Sequence, residues 1–190
     1  MSESPLRTGT AVPLRRDDVD TDQLAPARFV PYFRPDGFTN ILLADWRSDP
    51  DFVLNQPQYQ GASVLVAGRD FGTGSSRESA VWALQSAGFR VVVASRFGDI
   101  FRGNATTRGL WTVEVGHDVV ERLWAEVEAD PWVPVTVDLS ALRLTCGAVE
   151  SPVRIDAPLL RRLLEPGDRI AETLTHLAEI EAYEAAEAVR

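Results

Sequence analysis

Between Asp70 and Glu78 the chain reads Asp-Phe-Gly-Thr-Gly-Ser-Ser-Arg-Glu, and these residue types at this spacing suit the binding of a small acidic molecule. Gly72 and Gly74 can take positive φ and let another group approach the backbone closely. Ser75 and Ser76 fall at the first turn of a helix-like run, Glu78-Ser-Ala-Val-Trp-Ala-Leu-Gln85. Unpaired N–H groups and the positive end of the helix dipole collect at such a terminus, which binds anions. Arg77 adds a planar, permanently charged fork that matches a carboxylate. A plainer reading stands beside this one. Gly-x-Gly-Ser-Ser also makes an ordinary turn with an N-cap, and Glu78, three residues after Ser75, completes a capping-box pattern.

The elements around the nonapeptide must position it. The apolar run Ser63–Ala67 leads in as a strand, and a helix over 77–87 leads out to a second strand, Arg90–Ser95. Strand, crossover helix and strand predict parallel pairing in a right-handed unit. Ala11–Leu14 is a possible first strand, and residues 1–10 read as a flexible N-terminus. Residues 15–61 read as long loops, and a long ordered loop in a compact domain is usually functional or a contact surface. Phe97–Arg102 reads as a short helix. His117–Ala129 carries apolar residues at helical spacing: Val119, Val120, Leu123, Trp124 and Val127. Short strands follow at 133–139, 142–146 and 152–155, in antiparallel fashion. Ala157–Glu165 reads as a helix that stops before Pro166-Gly167, and Arg169–Ala188 as a Glu- and Ala-rich helix. Residues 11–190 are expected to form one domain.

Composition narrows the function. With 190 residues the chain can bury one good core. The formal net charge of -9 argues against nucleic acid, whose phosphates need a basic face. There is one cysteine, Cys146, in an apparent strand, where a buried structural thiol is expected. The two histidines, His117 and His176, have no Cys or His at ligand spacing, so no metal or iron–sulfur site is expected in this chain. No signal peptide and no membrane-length apolar run is visible, which leads us to expect a cytoplasmic protein.

Three segments together are recognisable: Asp17–Pro26 (Asp-Asp-Val-Asp-Thr-Asp-Gln-Leu-Ala-Pro), Asp70–Glu78, and Ser95–Asn104 (Ser-Arg-Phe-Gly-Asp-Ile-Phe-Arg-Gly-Asn). With Asp49–Asn55 and Ile180–Glu184, they resemble the small subunits of 3-isopropylmalate dehydratase, from about residue 9 to about residue 185. The resemblance implies an α/β fold: a single swivelling domain like that of aconitase, with mixed, barrel-like β layers flanked by helices. It implies a hydro-lyase of leucine biosynthesis that works only with a large subunit carrying a [4Fe–4S] cluster, and no cofactor in this chain. It implies a small hydroxy-dicarboxylate substrate, and neither nucleic acid nor membrane as a partner.

Carried over residue by residue, the resemblance makes Ser75 the base that removes a proton from carbon and Arg77 a carboxylate ligand. Ser76 becomes a positioning group, Asp22 an acidic residue that orders the site, and Arg34 a second carboxylate-binding arginine. The plainer alternatives are a turn-forming role for Asp22 and a solvated Arg34. The stretch Arg28–Phe38 falls where relatives choose the substrate side chain; Phe29, Val30, Tyr32 and Phe33 form either an apolar wall there or core and subunit contacts. Two departures stand out: Thr73 replaces a common cysteine and Ser79 a common histidine. They keep open a paralogue acting on methylmalate or homocitrate, or a non-catalytic carboxylate-binding module.

Overall fold

The computed structural model describes residues 4–32, 41–75, 78–164 and 173–187. Two four-stranded sheets organise them. The first is entirely parallel, in the order β2 (Ala11–Pro13), β3 (Val64–Val66), β4 (Val91–Ala94), β5 (Trp111–Glu114). Its strands are short, continuous apolar runs, as expected where both faces are covered. Every residue of β2, β3 and β4 is buried. The second sheet is entirely antiparallel, in the order β1 (Leu6–Gly9), β6 (Val135–Asp138), β7 (Arg143–Cys146), β8 (Val149–Pro152). Here buried and partly exposed positions alternate along β6, so one face packs inward and the other meets water.

The two sheets join at both edges, which produces the barrel-like layering. β1 runs through Thr10 directly into β2, so one stretch of chain is an edge strand of each sheet. At the far side Glu114, ending β5, bridges Arg154 just beyond β8, with Arg154 N–H donating to Glu114 O at 2.9 Å. The mixture of parallel and antiparallel pairing lies between the sheets and not within either.

Helix α4 (His117–Ala129) packs against β2, β3 and β4 on one side and β8 on another. Its buried stripe is Val119, Val120, Leu123, Trp124 and Val127. The Trp124 indole N–H, buried, donates to Val66 O at 2.9 Å, so the one polar atom of that ring is satisfied against the central sheet. Helices α2 (Glu78–Ser86) and α3 (Asp99–Thr107) pack on each other, and α1 (Thr21–Leu24) packs on α2. Helix α5 (Ala157–Leu164) lies against α3. The last described helix, α6 (Leu177–Glu187), buries none of its residues.

Several expectations need correction. Residues 6–9 are a strand: β1 pairs antiparallel with β6 from Leu6↔Asp138 to Gly9↔Val135. Its sequence, Leu-Arg-Thr-Gly, has no apolar alternation, and none of its four residues is buried, so the strand is held by its pairing with β6. β5 was not foreseen, although the strand–helix rhythm through β4 and α3 ends on it. β8 begins at Val149 and not at 152, because the two-residue turn Gly147-Ala148, with Gly147 at φ +53, returns the chain directly. α3 runs five residues past Arg102. Residues 165–172 and 188 lie outside the described residues, so the stop before Pro166-Gly167 and the ends of the Arg169–Ala188 helix do too.

Cys146 is buried, and burial pushes its thiol up to about 11, which suits a structural residue. Thr112, on β5, is 2% exposed and its hydroxyl has no hydrogen-bond partner. Replacing it with the isosteric valine removes an unpaid desolvation cost. Thr112→Val is expected to stabilise the fold by about 1 kcal/mol, read as a rise of roughly 2–4 °C in the thermal midpoint. A fall in midpoint would show that the hydroxyl is satisfied in solution.

Candidate active site at the C-terminal edge of the parallel sheet

Each of the three recognisable segments follows one of three adjacent parallel strands: Asp17–Pro26 follows β2, Asp70–Glu78 follows β3, and Ser95–Asn104 follows β4. Parallel strands deliver their following loops to the same edge, which is where ligands bind in open α/β sheets. Segments far apart in sequence are thus gathered by topology alone.

Backbone hydrogen bonds stitch them together. Gly72 N–H donates to Val19 O at 2.7 Å, Thr21 N–H to Thr73 O at 2.9 Å, and Asp18 N–H to Arg69 O at 2.8 Å. On the other flank Phe71 N–H donates to Arg96 O at 3.1 Å, and Gly98 N–H to Phe71 O at 2.9 Å. Thr73 takes part through its backbone carbonyl, a contact that does not depend on its side chain. Below the loops, Phe71 meets Phe97 and Phe101 edge-on, at centroid distances of 6.2 and 5.5 Å. Phe97 and Phe101 lie nearly parallel at 6.4 Å. Gly72, at φ +76, leaves its Cβ direction to the Phe101 ring, 2.3 Å from where that atom would stand.

Charged pairs lock the loop bases. The Asp17 carboxylate accepts the Arg69 N–H at 2.7 Å and pairs with the Arg69 guanidinium at 3.3 Å. The Asp70 carboxylate pairs with Arg96 Nε, tying the nonapeptide to the segment after β4. Both carboxyls are held below the usual aspartate range, Asp17 first by the Arg69 N–H and Asp70 by the Arg96 hydrogen bond. For Asp17 the folded value lies below the ordinary 3.8, so its ionised form adds stability above that pH, which is lost as pH falls through the folded value. Asp17→Asn is therefore expected to lower the thermal midpoint at neutral pH and to converge with the parent in acid. A gap between the two proteins that persists unchanged into acid would contradict this.

Ser75 is exposed at this edge, at the end of the loop. Its carbonyl accepts the Thr21 hydroxyl at 2.7 Å. α2 begins three residues later and α3 begins at Asp99, after Gly98, so two helix N-termini share the edge and favour negative charge there. Asp22 is exposed in the first turn of α1. Asp20, two residues before it, caps α1 in a reciprocal box with Gln23: Gln23 N–H to Asp20 Oδ1 at 2.7 Å, and Asp20 N–H to Gln23 Oε1 at 2.9 Å. Glu78 does not serve as the box partner foreseen for Ser75; its carboxylate meets Arg108 Nε. Ser79 is buried. Ser76, Arg77 and Arg34 lie outside the described residues, as do Phe33 and the side chains of Val30 and Tyr32. Phe29 packs against the core.

The structure adds site-forming residues that sequence reasoning passed over: Asp17, Thr21, Arg96 and Gly98. All lie inside the quoted segments, but their roles come from contacts across 26 to 54 positions, which no local pattern carries. Among the described residues, no group of three His, Cys, Asp or Glu side chains could hold a metal ion, and no helix is long and apolar enough to cross a membrane.

A parallel sheet whose loops meet in this way, joined edge to edge to an antiparallel sheet, defines a class. The family model of the aconitase C-terminal domain matches residues 5–118, through all three segments, and the chain belongs to that family. Within it, the chain is similar to the 3-isopropylmalate dehydratase small subunit of Mycobacterium ulcerans, 57% identical over 186 residues, which are 98% of this chain and 94% of that protein. The small subunit of the same name from Micrococcus luteus is 52% identical over 185 residues, 97% and 92% of the two chains. A crystal structure of 3-isopropylmalate dehydratase from Methanocaldococcus jannaschii superposes with a TM-score of 0.66 at 25% identity, covering 96% of this chain and 99% of that one.

Proposed function

We propose that this chain is the small, site-completing subunit of a 3-isopropylmalate dehydratase, which converts 2-isopropylmalate to 3-isopropylmalate through 2-isopropylmaleate in leucine biosynthesis. The reading is supported above all by the convergence of the three segments on one edge with Ser75 exposed there. The partner is a large subunit, and its [4Fe–4S] cluster supplies the Lewis acid that helps hydroxide leave. Ser75, as an alkoxide, takes the proton from the carbon next to the one bearing hydroxyl. The carbon–oxygen bond breaks with loss of hydroxide as the double bond forms; hydroxide then adds to the carbon that lost the proton, and the serine delivers its proton to the carbon that lost the hydroxyl. A serine is a poor base unless its anion is stabilised, and the helix N-termini at this edge, with Arg77, are suited to do so. Arg77 and Arg34 hold substrate carboxylates, Ser76 positions them, and Asp22 orders the loop.

The test is co-expression with a large subunit and an anaerobic assay on 2-isopropylmalate, methylmalate and homocitrate. Turnover of 2-isopropylmalate well above the others is expected. Preference for another hydroxy-diacid would reassign the substrate, and no turnover with any partner would leave a carboxylate-binding module.

A further inference from the structure

Thr21 touches the serine loop twice. Its backbone N–H donates to Thr73 O at 2.9 Å and its hydroxyl donates to Ser75 O at 2.7 Å. Between those two carbonyls lies Gly74, at φ +88, a residue that gives the loop a free pivot. A Cβ on Gly74 would stand 3.5 Å from Asp20 Cβ and 3.7 Å from Thr21 Oγ1, so the pivot packs on Thr21, which brackets it, and on Asp20 beside it.

Thr21 is the first residue of α1, so no helical turn precedes it to take its hydroxyl. The hydroxyl reaches a carbonyl 54 positions away, from a residue only 2% exposed. Its own position is secured: α1 has only four residues, too few to persist alone, but the Asp20–Gln23 box closes it and Leu24 anchors it in the core.

We propose that Thr21 is the positioning residue of the site: its buried hydroxyl fixes the Ser75 carbonyl, and with it the direction in which the Ser75 side chain leaves the loop. The proposal rests on the reading of Ser75 as the base. Loss of the hydroxyl frees the pivot at Gly74 and lets the serine wander by an ångström or so, a displacement that costs a proton transfer about a hundredfold. On that same reading carboxylate binding falls to the arginines, so the loss is expected in kcat and not in KM.

The experiment compares Thr21→Val, which keeps shape but not the hydroxyl, with Thr21→Ser, which keeps the hydroxyl, each assembled with the large subunit. Thr21→Val is expected to lose about 10- to 100-fold in kcat with KM within about threefold of the parent, and Thr21→Ser to recover most of the loss. Thr112→Val, which also replaces a buried threonine but away from the loop, is expected to keep the parental kcat. Where the valine variant does not assemble, Thr21→Ala against Thr21→Ser carries the same comparison. Parental kcat in Thr21→Val beside an inactive Ser75→Ala overturns the positioning role alone, as does a serine variant no better than valine. A Ser75→Ala protein at the parental rate overturns the base reading and this role with it.

Discussion

Ser75→Ala, in the protein assembled with its large subunit, is expected to lower kcat by about 10³- to 10⁴-fold while assembly and thermal midpoint stay near the parental values. The separation of the two effects comes from where the serine lies. Its side chain is exposed at the end of the loop, so truncating it opens no cavity. What the fold uses at this position is the carbonyl, which accepts the Thr21 hydroxyl and survives the substitution. On the reading of Ser75 as the base, what the reaction uses is the hydroxyl oxygen, because a base must stand within hydrogen-bond reach of the proton it takes. KM should change little, since carboxylate binding falls to the arginines. Steady-state rates on 2-isopropylmalate, with assembly followed by gel filtration, decide it. A variant within tenfold of the parental kcat would remove Ser75 from the role of base.

How much of this was legible beforehand follows from which contacts are local. The continuous apolar runs at Val64–Val66 and Val91–Ala94 announce buried parallel strands, and the stripe Val119–Val127 announces α4 to the residue. Parallel pairing of those strands, with β2 beside them, was enough to bring three loops to one edge. β1 was hidden because Leu6–Gly9 has no amphipathic signature; it exists through β6, some 130 positions on. The site divides in the same way. The placement of Ser75 at the end of a loop before a helix was readable from its glycines and the run behind it. That Asp20, two residues before Asp22, caps α1 depends on where a four-residue helix starts, which periodicity does not resolve. Arg96, read as part of a motif, turns out to tie two loops through Asp70, and only the fold brings them together.

Gly98→Ala is expected to be a disruptive single-methyl change at this edge. The residue sits at φ -64, so an alanine meets no backbone strain there. The conflict is with space. A Cβ on Gly98 would stand 2.5 Å from Gly72 O, 3.0 Å from Gly72 C and 3.2 Å from Thr73 Cα. These are backbone atoms, so no side-chain rotamer can relieve the clash. Gly72 is itself held in place, by its N–H to Val19 O at 2.7 Å and by the Phe101 ring against its open side. The loops can separate only by stretching the Gly98 N–H to Phe71 O bond and unseating Phe71 from Phe97 and Phe101. Overpacking of this kind costs about 1–3 kcal/mol, and for a chain of this size that is a drop of roughly 2–12 °C in the thermal midpoint. Activity should fall further than stability does, because the strand of loop being displaced is the one that carries Thr73, Gly74 and Ser75. Thermal melts and rates measured on the same preparation test both parts. An alanine variant with parental midpoint and parental kcat would mean that the two glycines do not meet in the working protein.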